Sequence, residues 1–129
     1  MIALVATAVG PFGVDLDSEE IEPAEPFTPA VAPPLNLPRV VAAAESGSAV
    51  IALVDAKPPL LVSHDAGTTW RESGRGLPVG RAVAIAPGEP DVMVFAARNR
   101  LYLSRNGGVF WTALTVELPE IEAVAIREG

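Results

Sequence analysis

The sequence has no cysteine, one histidine (His64) and one tyrosine (Tyr102), and aromatic residues make up 5% of its 129 positions. Without cysteine there is no disulfide framework, no thiolate metal site and no thiol nucleophile. A lone histidine cannot build a zinc site unless several carboxylates join it, so neither a metal nor another cofactor is expected. Basic side chains are also few. Nine Lys and Arg against sixteen Asp and Glu leave a formal net charge of −7. An acidic surface repels phosphate, which argues against nucleic acid and anionic membranes as partners. The opening "MIALVATAV" is apolar but carries no basic residues ahead of it, is too short to span a bilayer and runs into Gly-Pro. It reads as a strand rather than a signal or anchor, and a cytoplasmic location is the expectation.

What is abundant is aliphatic. Half of the residues are hydrophobic, dominated by Ala, Val, Leu and Ile, a globular composition of a length suited to one domain with its own core. Short apolar runs recur at 2–9, 39–45, 49–54, 59–63, 81–86, 91–97, 100–104, 110–116 and 121–127. They are separated by turn signals such as "ESGS", "SHDAGT", "APGEP" and "RNGG". No segment of helical length shows an apolar stripe of period 3.6. The chain is expected to be all-β.

The runs repeat. "SHDAGTTW" (63–70) aligns with "SRNGGVFW" (104–111), 41 residues on, and "LP" recurs at 37–38, 77–78 and 118–119. "AVAI" occurs at 82–85 and again at 123–126. Residues 37–76 and 77–117 are therefore two full units, and 118–129 opens a third. Its remainder is at the other end of the chain. "IALV" at 2–5 repeats as "IALV" at 51–54, and Asp17 falls where Asp65 does. Residues 1–17 thus read as the second and third strands of a unit whose first strand is C-terminal. Residues 18–36 form a Pro-rich strap: six Pro between positions 18 and 38 exclude a central strand. Its Phe27, Val31 and Leu35 suggest that it lies along a surface.

The pattern S-x-D/N-x-G-x-x-W resembles the Asp-box, or BNR repeat, of sialidases, sortilin-type receptors and photosystem II stability factor-like propellers. The resemblance covers about residues 37–129 and implies β-propeller blades of four antiparallel strands. In such a turn Asp65 and Asn106 accept backbone N–H bonds, Gly67 and Gly108 supply positive φ, and Ser63 and Ser104 bond locally. Trp70 and Trp111 are expected between adjacent sheets. All of these roles are structural, and the resemblance likewise places Asp-boxes at blade edges, away from any central site.

Sharper readings are weaker. Sialidase chemistry, as the resemblance would have it, needs an arginine cluster and a tyrosine nucleophile. Tyr102 sits in the alternating strand "RLYLS", and no arginine matches the family's motif. Arg98, Arg100 and Arg105 near one hairpin could grip a carboxylate, or could simply charge a sheet edge. Asp15, Asp17, Glu19 and Glu20 offer alternating oxygens for a cation, but without the loop glycine or full ligand spacing.

Two full units and a third split between the termini cannot close a ring by themselves, and an open stack exposes its end faces. The expectation is a homo-oligomer: a dimer giving six blades, with the C-terminal strand of one subunit completing the blade begun by the other's N-terminal hairpin, or a trimer built on two blades per chain. A larger protein partner is the third option. The expected function is a non-enzymatic binding or scaffold module acting through protein or small-ligand contacts. A glycan-binding lectin and a sialidase-like glycoside hydrolase fragment are the alternatives.

Overall fold

The computed structural model describes residues 1–128. Among these the regular structure is β throughout, in twelve strands. In chain order they are β1 (Ile2–Thr7), β2 (Gly10–Asp15), β3 (Ile21–Pro23), β4 (Val40–Ser46), β5 (Ala49–Val54) and β6 (Leu60–Ser63). Then follow β7 (Arg71–Ser73), β8 (Ala82–Ala86), β9 (Glu89–Ala96), β10 (Leu101–Ser104), β11 (Thr112–Ala113) and β12 (Ile121–Arg127). They make three four-stranded antiparallel sheets: β4-β5-β6-β7, β8-β9-β10-β11 and β12-β1-β2-β3. These are the first, second and third blades of a β-propeller architecture.

The third blade joins the two ends of the chain. β12 pairs with β1 from Ile2↔Arg127 to Thr7↔Ile121, with a register shift at Ala6/Thr7. The clasp therefore forms within one chain, rather than between the strand of one subunit and the hairpin of another. β3 lies inside the stretch 18–36 and is the outermost strand of this blade, with Pro23 opposite Phe12. An edge position is where a strand tolerates proline, because one row of donors has no partner to lose.

Packing follows the period-two alternation of strands. On β9, Val92, Val94 and Ala96 join the layer shared with the third blade, where they meet Val5, Val14, Ile121, Val124 and Ile126. Met93, Phe95 and Ala97 point the other way, into a layer with Ile51, Leu53, Leu60 and Val62 of the first blade. Phe95 is fully buried, and its ring meets Tyr102 and Trp111 edge-on at centroid distances of 5.7 and 6.4 Å. Each such fully buried side chain contributes about 1.5–3 kcal/mol through burial alone. Gly80 marks how tight this layer is: a methyl there would lie 2.5 Å from Phe95 Cε2 and 2.8 Å from Leu53 Cδ1.

The two outward faces of the stack differ. On the first blade Val50, Ala52 and Val54 turn away from the second blade and are nevertheless 4, 0 and 7% exposed. On the third blade Ile2, Leu4 and Ala6 turn outward and stay only half-buried. The strap leaves β3 beside this face, where Phe27 shares a hollow with Ile2 and Leu4. It then passes the innermost strands at Pro29–Ala32, and its Pro33, Leu35 and Leu37 are half-buried on the way to β4.

Candidate functional site

The two repeated octapeptides fold into the same turn. Ser63 ends β6 and is 1% exposed; its Oγ accepts from Gly67 N (2.8 Å) and donates to Asp65 Oδ1 (2.7 Å). Asp65 in turn accepts from Thr69 N (2.8 Å) and from Thr69 Oγ1 (2.6 Å). In the second turn Ser104 Oγ accepts from Gly108 N (2.9 Å), and Asn106 Oδ1 accepts from Phe110 N (3.0 Å). Gly67 and Gly108 adopt φ of +88° and +86°, a conformation that side chains with a Cβ rarely take. The hydroxyl and amide of Thr69, with Ser63, hold the Asp65 carboxyl down at about 2, because every bond favours the ionised form.

Trp111 projects from this turn into the layer between the first two blades. Its Nε1 donates to Ser73 Oγ at 2.9 Å, and Ser73 Oγ donates to Gly108 O. Trp70 is half-buried, and no indole hydrogen bond of this kind joins it among the described residues. By the repeat it is directed to the outer face of the first blade, where no sheet follows.

The position between Ser and Asp/Asn of the motif links each blade to the next. His64 Nε2 lies 3.2 Å from Gly107 O, and its counterpart Arg105 donates to Leu16 O (3.3 Å) and Asp17 Oδ1 (2.8 Å). The N-terminal acidic stretch repeats the turn in degenerate form. Asp15 Oδ1 accepts from Asp17 N and Ser18 N at 2.8 and 3.0 Å, and Glu19, in the glycine's place, has φ +62°. These bonds lower the Asp15 carboxyl below its usual range. Glu19 is lowered by Thr115, whose N and Oγ1 both donate to its Oε1. Asp15, Asp17 and Glu19 thus serve separate bonds, Glu20 lines the hollow beside Ile2 and Leu4, and among the described residues no group of three His, Cys, Asp or Glu is placed to hold a metal ion.

The three candidate arginines do not converge. Arg98 meets Glu120 at 3.3 Å, Arg100 meets Glu117 at 3.0 Å, and Arg105 meets Asp17 at 2.8 Å. Glu120 also takes Arg81 at 2.9 Å, which ties the inner end of the second blade to the third.

Besides the hollow beside Phe27 and smaller ones beside Asp17 and beside Arg98 and Arg100, two recesses follow the inner and outer parts of the blades. A trough of about 510 Å³ follows the innermost strands β4, β8 and β12, lined by small side chains such as Ala42, Ala84 and Ala125 and crossed by Pro29–Ala32. A groove of about 650 Å³ runs between the outer parts of the first and second blades, lined by His64, Arg71, Arg75, Tyr102, Phe110 and Trp111 among others. Sequence reasoning passes over Ser73, Arg71, Arg75 and Phe110. Ser73 and Arg71 stand on β7, a polar three-residue strand with no apolar alternation to announce it.

No protein-family model and no curated protein matches the sequence. Among solved structures, "YCF48 bound to D1 peptide" superposes with a TM-score of 0.52 and 19% identity, over 92% of this chain and 38% of that one. The present chain therefore spans well under half the length of that neighbour, and the likeness confirms the propeller architecture of the blades.

Proposed function

We propose that this chain is a non-enzymatic propeller module that binds a peptide or protein partner, and that its two repeated turns are Asp-boxes. The observation that carries the proposal is where the polar chemistry goes. The motif side chains Ser63, Asp65, Ser104, Asn106 and Trp111 and the arginines at 98, 100 and 105 bond to the chain's own groups, while open recesses remain between and along the blades. A structural neighbour built from such blades is a complex with a peptide, which supports the same kind of partner here. Hydrolase chemistry has less support: Tyr102 is half-buried against Phe95, and the candidate arginines form no common carboxylate grip.

One observation favours the lectin alternative, namely that Phe110 is 74% exposed beside a groove and offers a face for sugar stacking. Parallel screens on a peptide array, a glycan array and a fluorogenic sialoside separate the readings. Peptide binding with an empty glycan array and no turnover is the expected outcome. Glycan hits without peptide hits would establish the lectin instead, and sialoside turnover would restore the hydrolase.

The proposed assembly is a ring closed by a second copy, six blades in all. Its support is internal continuity. The outward side chains of the third blade, Ile2 and Leu4, are the repeat counterparts of Ile51 and Leu53, which already fill a layer between blades. In that ring the strap lies at the subunit boundary.

A further inference from the structure

We infer that the peptide partner docks in the groove between the first and second blades, and that it is an extended segment carrying acidic and aromatic side chains. This deepens the protein-binding reading above and rests on it. The argument begins with charge. In a chain of net charge −7, the arginines at 81, 98, 100 and 105 are each paired with a carboxylate of the chain itself, Arg81 and Arg98 sharing Glu120. Arg71 and Arg75 are exposed and, among the described residues, have no salt-bridge partner. Both line the same groove, in which Glu72 is the sole carboxylate among the lining residues. Two uncompensated guanidinium groups on one wall suit a carboxylate, which they can hold with paired, charge-assisted bonds.

The apolar half of the groove points to the same partner. Phe110 and Val109 are 74 and 59% exposed beside the half-buried Tyr102 and Trp111. Exposed aromatics beside unpaired arginines are the composition that recurs at the centre of protein–protein contacts. The floor is already fixed across the two blades by His64 with Gly107 O and by the Trp111–Ser73–Gly108 chain of hydrogen bonds. Little ordering of the groove is therefore needed on binding. β7 forms one wall and is the outermost strand of its sheet, so one row of its backbone groups is open to an extended segment. The inner trough lacks this pairing of features: its Arg81 is held by Glu120, and Pro29–Ala32 already crosses it.

The test uses fluorescein-labelled eight-residue peptides holding two Asp or Glu and one Phe or Trp in permuted order, with an amide set in which every acid is Asn or Gln. Fluorescence polarisation on the full chain should show binding by the acidic set alone, weakening as salt rises. The Arg71→Ser/Arg75→Ser double variant and Phe110→Ala should each weaken it at least tenfold, while Arg127→Ser, an exposed arginine outside the groove, should leave it unchanged. All variants are first checked for native circular dichroism, and any that is unfolded is replaced by the corresponding Arg→Gln or Phe→Leu change. Equal binding by the amide set, or full binding by the groove variants, overturns the inference. If peptides bind but only Val41→Arg in the inner trough weakens them, the groove falls and the protein-binding reading stands. If neither peptide set binds and the wider array is empty as well, both fall.

Discussion

Asp65 and Asn106 hold the same place in two turns with nearly the same bonds, and differ in that one can titrate. Asp65 is a natural carboxylate whose ionised form is tied by Thr69 and Ser63, with its pKa lowered from 3.8 to about 2. A group with a depressed folded-state pKa stabilises the fold above its unfolded value and loses that contribution as pH falls through the folded value. The stability owed to Asp65 is therefore present at neutral pH and disappears between about pH 4 and pH 2. Asp65→Asn should lower the urea midpoint at pH 6 and narrow its gap to the wild-type chain at pH 2.5. A gap that stays constant across that range would remove the carboxylate from the account. These turns were legible in the sequence because the bonds made by their Ser, Asp and Asn side chains are local, reaching four residues at most. Ser73 was not, since its bonds to Trp111 and Gly108 join residues 38 and 35 positions apart.

At the level of strands, legibility tracks burial. The inner and middle strands carry the aliphatic runs, and β5, β8 and β9 are recognisable from composition because both their faces or most of their length are covered. The fourth strand of each blade, β3, β7 or β11, has two or three mostly exposed residues. No hydrophobic pattern marks such a strand, and only pairing to its neighbour defines it. The clasp of β12 on β1 was readable as a shared blade from the repeated "IALV" and "AVAI", whereas the expectation that two chains supply it in the dimer rested on counting blades for a closed ring, and no residue pattern stood behind it. Leu4 and Ala125 stand directly opposite each other, and opposed residues in antiparallel strands are about 4.5–5.5 Å apart at Cα, within disulfide reach. Oxidised Leu4→Cys/Ala125→Cys, in a chain with no other cysteine, should run as a single-chain species on a non-reducing gel. A covalent dimer would show instead that the strand is exchanged between subunits.

For the molecule as a whole, three blades leave two ends, and the proposed ring makes a quantitative demand. Light scattering should give twice the 13.4 kDa of one chain, and Leu4→Glu, on the half-buried outer face of the third blade, should return the mass to that of a monomer with unchanged circular dichroism. A wild-type monomer at all concentrations would rule out self-closure and leave the end faces to a different protein. The clasp itself has a mechanical consequence. Ile2 opposes Arg127 and Thr7 opposes Ile121, so a load drawn between Ile2 and Arg127 meets the ladder at one end and breaks its bonds one after another, like a zipper, rather than all together in shear. Pulled in that direction the third blade opens first and at low force, while the first two, loaded only through the strands that follow, keep their shape until it has gone.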